Sequence, residues 1–189
     1  SRHQQNVDWE KVVEHEKPWF VFIKATEGTL IVDPTYDRHR RELERADVTW
    51  GAYHFFGHRT PGREQARNFI RTACLEKGNL LPVLDIEQHR FMTDPKRSVR
   101  EAKAFCDETR RYYGADPIIY CSTHFYETYL KKEFSPDRYT LWIADYRGCP
   151  RIKWRIWQHT DSHSLPGIRG KVDRNVFAGS EQEFKKLIL

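Results

Sequence analysis

Short apolar runs, each about the length of a strand, recur along this chain with amphipathic stretches between them, and that alternation restricts the fold more than any other feature. The strand-like runs occupy 19–25, 50–56, 80–86, 117–121, 140–146 and 155–159, with a short piece near Val172. Helical periodicity fills 8–16, 35–46, 63–74, 95–113, 123–131 and 181–187. Strand followed by helix, repeated, predicts βα units and a mostly parallel sheet. After Lys132 the last three strands follow one another with loops and no long helix between them. An irregular, TIM-like (β/α) barrel with a β-rich C-terminal part fits this change better than a doubly wound open sheet. The expected class is therefore α/β. Repeats, low-complexity segments and interdomain linkers are absent from the sequence, so residues 1–189 read as a single domain.

Composition narrows the function classes. A chain that is 39% hydrophobic and 14% aromatic can bury a sizeable core and is unlike a disordered one. No apolar run approaches the roughly 20 residues a bilayer span needs. The 32 Lys and Arg against 27 Asp and Glu leave a charge of +5. The basic residues, such as Arg38, Arg40, Arg41, Lys131 and Lys132, stand among acids at helical spacing, which describes a solvated face rather than a phosphate track. Nucleic acid is thus the least favoured partner, with mild attraction to anionic polymers expected. Cys74, Cys106, Cys121 and Cys149 are far apart, lack C-x-x-C spacing and read as buried free thiols. None of His3, His54, His124, His159 and His163 shows H-x-x-x-H spacing on a helical stretch or a plausible Cys partner, so no metal is expected. Without G-x-G-x-x-G, a Walker loop or a G-x-S-x-G elbow, the chemistry left is cofactor-free hydrolysis. The polar opening, Ser1 to Asn6, does not have the form of a signal peptide.

The run Leu80-Leu81-Pro82-Val83-Leu84-Asp85-Ile86-Glu87 is an apolar strand ending in two acids. Residues two apart on a strand face the same side, about 6.5–7 Å apart along the backbone, so both carboxyls converge while Leu84 and Ile86 point away. The C-terminal end of a parallel barrel strand is where active sites sit. Like charges held there push one pKa upward, giving a proton donor beside an ionised partner, the division of labour of glycoside hydrolysis. On this strand alone a plain reading stands level with that one: the acids begin a loop and Asp85 caps the next helix. Other strands also end in polar groups, with Lys24, Glu27, His54, Tyr120, Asp145, Tyr146, Gln158 and Asp173 set to line one rim. Tyr53, Tyr120, Tyr146 and Trp157 are candidate platforms for sugar rings, while Phe22, Phe55, Phe69, Trp142 and Trp154 are assigned to packing.

These segments together resemble the glycoside hydrolase family 25 lysozymes, the Chalaropsis-type N-acetylmuramidases. Val7-Asp8-Trp9, Phe20 through Gly28, Gly51 through Phe55 and Leu81 through Glu87 carry the likeness. Pro117 through Tyr120, Leu141 through Ala144, Trp157-Gln158 and Val172 through Asn175 continue it in order over nearly the whole chain. The resemblance implies a flattened, irregular barrel and cleavage of the β-1,4 bond between N-acetylmuramic acid and N-acetylglucosamine in peptidoglycan, without cofactor. It makes Glu87 the general acid, Asp85 the group that orients or stabilises the substrate's 2-acetamido group, and Asp173 a member of the acidic site. Lys24, Glu27, Tyr53, His54, Tyr120, Asp145, Tyr146, Trp157 and Gln158 become the expected substrate contacts. The expected partner is the bacterial glycan strand, met outside the cytoplasm by a monomer. The family's opening strand ends in D-x-S; Ser1 aligns with that Ser, so the resemblance implies a first strand and a further Asp upstream. Two other readings stay open: a non-catalytic wall-binding module, and a chitinase-like glycosidase built on a similar D-x-E strand.

Overall fold

The computed structural model describes residue 1 and residues 3–189. Eight strands form one sheet in the order β2-β1-β3-β4-β5-β6-β7-β8. They are β1 (Val21–Glu27), β2 (Ile31–Val32), β3 (Trp50–Phe55), β4 (Val83–Asp85), β5 (Ile118–Ser122), β6 (Leu141–Ala144), β7 (Ile156–His163) and β8 (Val172–Phe177). From β1 through β7, leaving out β2, each strand is parallel to its neighbour, as the βα alternation predicts. The helices are α1 (Trp9–Glu16), α2 (Tyr36–Arg45), α3 (Gly62–Ala73), α4 (Pro95–Tyr113), α5 (Thr123–Phe125) and α6 (Glu181–Lys185). Asp8 and Asp94 cap α1 and α4 by accepting from Lys11 N and Arg97 N, and Ser180 and Glu183 form a capping box on α6. Among the described residues no helix is long and apolar enough to cross a membrane.

The expected barrel is an open half-barrel instead. β2 runs antiparallel to β1 over only two residue pairs, and β8 runs antiparallel to β7, so the sheet ends at β2 on one side and β8 on the other. The unpaired edge of β1 and that of β8 bound a cleft of about 960 Å³. It lies where a strand paired to both edges would stand.

Alternation along the strands separates two cores. Ile23, Ala25, Ala52, Leu84, Ile86, Ile119, Cys121, Leu141 and Ile143 face the helices, together with buried Phe69, Phe105 and Phe125. Val83, Ile118, Trp142 and Ile156 face the hollow of the curl, where Phe184 and Leu187 of the C-terminal segment close it. Burying side chains of this size stabilises the fold by roughly 1.5–3 kcal/mol each. α3 approaches α4 so closely at Gly62 that a Cβ there would stand 1.7 Å from the Glu101 carbonyl oxygen.

Several elements differ from the expected ones for local reasons. The strand expected over 80–86 is regular only at Val83–Asp85, because Pro82 lacks the amide that would continue the ladder. Leu80 and Leu81 donate elsewhere, to Trp50 O and Leu187 O at 2.9 and 2.7 Å. The run at 155–159 extends to His163 because β8 folds back against it. The helix expected at 123–131 is a single α turn followed by a π turn over Tyr126–Leu130, closed by Lys131 N donating to Tyr126 O at 2.9 Å. Of the four cysteines, Cys106 and Cys121 are buried as expected, whereas Cys74 and Cys149 are exposed.

Candidate active site

β4 places Val83, Asp85 and then Glu87 toward the hollow, since alternate residues share a face. Asp85 is 8% exposed, whereas Glu87 is half-buried and opens toward the cleft. The backbone is clamped on both sides there: Phe56 N donates to Asp85 O at 2.8 Å, and Ile86 N donates to Tyr120 O at 3.0 Å. Burial pushes the Asp85 carboxyl well above its ordinary range, and the negative charge of Glu87 adds to that; Lys24 opposes it. Glu87 is raised as well, first by burial and then by the charge of Asp173, with a hydrogen bond from Asp85 pulling the other way. Both carboxyls are raised by burial and they are hydrogen-bonded to each other, so they titrate as a unit. Asp173, near the start of β8, is raised by desolvation and by Asp161, against the pull of the Ser1 amine.

The wall of the cleft is a set of hydrogen-bonded aromatic residues. Tyr120 and Tyr146 both donate to Gln158 Oε1, at 2.8 and 2.6 Å. Trp142 Nε1 donates to Asn175 Oδ1 at 2.8 Å, and its ring packs 4.9 Å from both Tyr120 and Phe22. Lys24 Nζ pairs with Glu27 at 2.7 Å and stands 4.8 Å from the centre of the Phe55 ring. Tyr53, with its hydroxyl pushed up by burial and by Asp85, completes the wall.

Of the residues singled out in the sequence, Lys24, Tyr53, Asp85, Glu87, Tyr120, Gln158 and Asp173 line this one cleft. Glu27 joins through its ion pair with Lys24, and Tyr146, 51% exposed, through Gln158. His54, Asp145 and Trp157 do not line it. His54 is buried on the helix side of β3, between Thr26 Oγ1 at 2.7 Å and Gln65 Oε1 at 2.9 Å, with its ring stacked on Phe105. Burial holds it down to about 4, so it is neutral. Trp157 donates to the Asp145 carbonyl at 2.8 Å and packs against Trp154, while the Asp145 carboxylate accepts from Arg147 N. Strand parity excludes His54 and Trp157: Tyr53 and Gln158 face inward, so their neighbours face outward. Parity also recovers what was missed. Phe22, Phe55 and Trp142, assigned to packing, line the cleft, as does Asn175, two residues beyond Asp173 on β8.

This geometry has close counterparts. The family model of glycosyl hydrolases family 25 matches residues 1–168. The Escherichia coli O157:H7 protein YegX is 33% identical over the whole of this chain and 71% of its own length. Lysozyme M1 of Streptomyces globisporus is 26% identical over 95% of this chain and 66% of its own. The solved structure of a family 25 glycosyl hydrolase from Bacillus anthracis superposes with a TM-score of 0.90 at 30% identity, covering 100% of this chain and 91% of that one. A curled eight-stranded half-barrel, an acidic cleft at the strand ends and a family match over most of the length agree: the chain belongs to glycosyl hydrolases family 25 and is a glycoside hydrolase.

Proposed function

We propose that this chain is a muramidase that hydrolyses the β-1,4 bond between N-acetylmuramic acid and N-acetylglucosamine in bacterial peptidoglycan. The observation that carries the reading is the pairing of buried Asp85 with Glu87, which opens to the cleft, at the bottom of an aromatic-walled hollow. Glu87, the member open to the cleft, protonates the glycosidic oxygen as the bond to the leaving sugar breaks. Asp85 Oδ1 is buried without a hydrogen-bond partner, a free acceptor suited to the N–H of the substrate's 2-acetamido group. Held that way, the acetamido oxygen attacks the anomeric carbon. Water then opens the resulting ring, its proton passing to the Glu87 carboxylate. Asp173 supplies negative charge beside the cation that develops on the sugar. Tyr53, Tyr120 and Trp142 offer faces to the sugar rings, and Lys24, Gln158 and Asn175 offer polar contacts to hydroxyl and acyl groups. Lysozyme M1, one of the relatives, bears a name in keeping with this activity. The chain acts as a monomer on glycan strands outside the cytoplasm, where that polymer lies.

Release of reducing ends from purified peptidoglycan is the decisive assay. Wild type releases them and Glu87→Gln, similar in shape but without a proton to give, does not. Full activity of that variant would refute the assignment. Retention on insoluble peptidoglycan with no release by the wild type would mark a binding module, and equal release from chitin oligomers a broader glycosidase.

A further inference from the structure

Glu87 stands past the point at which its strand stops pairing. On the β3 side the ladder ends with Phe56 N on Asp85 O, and on the β5 side with Ile86 N on Tyr120 O. The Glu87 carbonyl nevertheless has a partner. His58, three residues beyond β3 and 6% exposed, brings its Nε2 to 2.8 Å from Glu87 O. Its other ring nitrogen, Nδ1, lies 3.1 Å from the hydroxyl of Ser98 on α4, whose backbone amide donates to the carbonyl of Asp94, the residue that caps that helix. The Phe56 ring meets the imidazole edge-on at 5.4 Å.

The chemistry of these contacts assigns the ring. A carbonyl only accepts, so Nε2 carries the hydrogen, and Nδ1 of the neutral ring accepts the single hydroxyl hydrogen of Ser98, while the Asp94 carbonyl keeps the Ser98 amide. Burial lowers the pKa of His58, which favours that neutral form. The side chain therefore serves as one more rung of the ladder, tied at its far end to α4.

We propose that His58 is a positioning residue for Glu87: its Nε2–H, anchored through Ser98, fixes the backbone from which the acid's carboxyl is aimed. A buried histidine most often serves packing alone. What separates His58 from that case is the atom it holds, the carbonyl of the acid residue itself, at the place where both neighbouring strands have let go. A misplacement of about 1 Å at a reacting group can cost on the order of 100-fold in rate, so a single rung has leverage there.

This inference rests on the muramidase reading for its kinetic part and stands apart from it in its spectroscopic part. The experiment compares His58→Ala, His58→Gln and the milder Ser98→Ala with wild type. Glutamine can place an amide N–H near the Nε2 position. Two readouts are taken: the titration of the Glu87 carboxyl by carbon NMR, and kcat and KM on soluble glycan fragments. In His58→Ala the Glu87 titration moves down toward the ordinary glutamic acid range, and kcat falls roughly 10- to 100-fold with KM changed less than twofold. His58→Gln restores both to within about fivefold of wild type, and Ser98→Ala lowers kcat a few fold. An unmoved Glu87 titration in a folded His58→Ala protein overturns the proposal, as does a His58→Gln protein no better than His58→Ala in either readout. Should His58→Ala fail to fold, Ser98→Ala with a wild-type titration and wild-type kcat overturns it equally. If wild type itself releases no sugar, the muramidase reading fails, and the titration still decides whether His58 positions Glu87.

Discussion

Replacing Gln158 with leucine removes the acceptor on which two tyrosines of the cleft wall converge, at nearly the same volume. Gln158 is 2% exposed, and its Oε1 takes the Tyr120 hydroxyl at 2.8 Å and the Tyr146 hydroxyl at 2.6 Å. The cost is less than two bonds, because the two hydroxyls are themselves within bonding reach of each other and Tyr146 is half open to water. In the variant Tyr120 donates to Tyr146, and Tyr146 turns to solvent. One buried neutral bond is lost, which predicts destabilisation of about 1–2 kcal/mol. In a chain of this size that is a fall in Tm of roughly 2–8 °C. Tyr120→Phe alone costs about 0.5–1.5 kcal/mol, since Gln158 keeps Tyr146. Combining the two removes donor and acceptor together, so the double variant is less destabilised than the sum by about 1 kcal/mol. Urea unfolding of wild type, both single variants and the double variant, with the slope m held common, measures that coupling. Strictly additive costs would refute the claim that the two side chains share one buried bond.

Three further outcomes follow from the same geometry. Asp85 binds its proton more tightly folded than unfolded, so its contribution to stability is present at acid pH and is lost as pH rises through the raised folded pKa; Asp85→Asn, which removes that dependence, gains stability relative to wild type as pH increases, and a pH-independent difference between their urea curves would contradict this. Glu87 is held up partly by Asp173, so Asp173→Asn moves the alkaline limb of the kcat/KM profile to lower pH; a limb that stays put or rises excludes Asp173 from that role. Gly62→Ala thrusts a methyl group against the Glu101 carbonyl and separates α3 from α4, at a cost of about 1–3 kcal/mol; unchanged thermal unfolding would show that the helices can part freely.

Much of the candidate cleft lining is legible in the sequence. The period of two brings Asp85 and Glu87 to one face, and that rule needs nothing but the strand. Applied consistently, the same rule would have rejected His54 once Tyr53 was accepted, and Trp157 once Gln158 was accepted. It would also have moved Trp142 from the packing residues to the wall, because Trp142 shares the parity of Tyr146 on the expected strand 140–146. Other features carried no local signal. β2 is two residues long, too short for any periodicity. Pro82 already marks the truncation of β4, but where Leu80 and Leu81 then find partners, at Trp50 and Leu187, is a matter of tertiary contact. The direction of β8 is likewise not written in its own residues, and only the hairpin with β7 makes it antiparallel. His58 lay outside the strands and so outside the pattern that drew attention to the rim.

The antiparallel β8 also sets when the acidic cleft is completed. Glu87 and Asp173 are 86 positions apart (173 − 87), and β8 has a neighbour in the sheet only through β7. At about 5–20 residues per second, a ribosome that has just made the acid needs roughly another 4–17 s to make its distant companion. Until that hairpin docks, Asp85 and Glu87 lack the third carboxylate and Asn175 beside them. A cut in the exposed turn around Gly170 would return a finished molecule toward that state, loosening one arm of the site while leaving the parallel strands in place. The third carboxylate is thus a late-made and detachable part of the cleft wall.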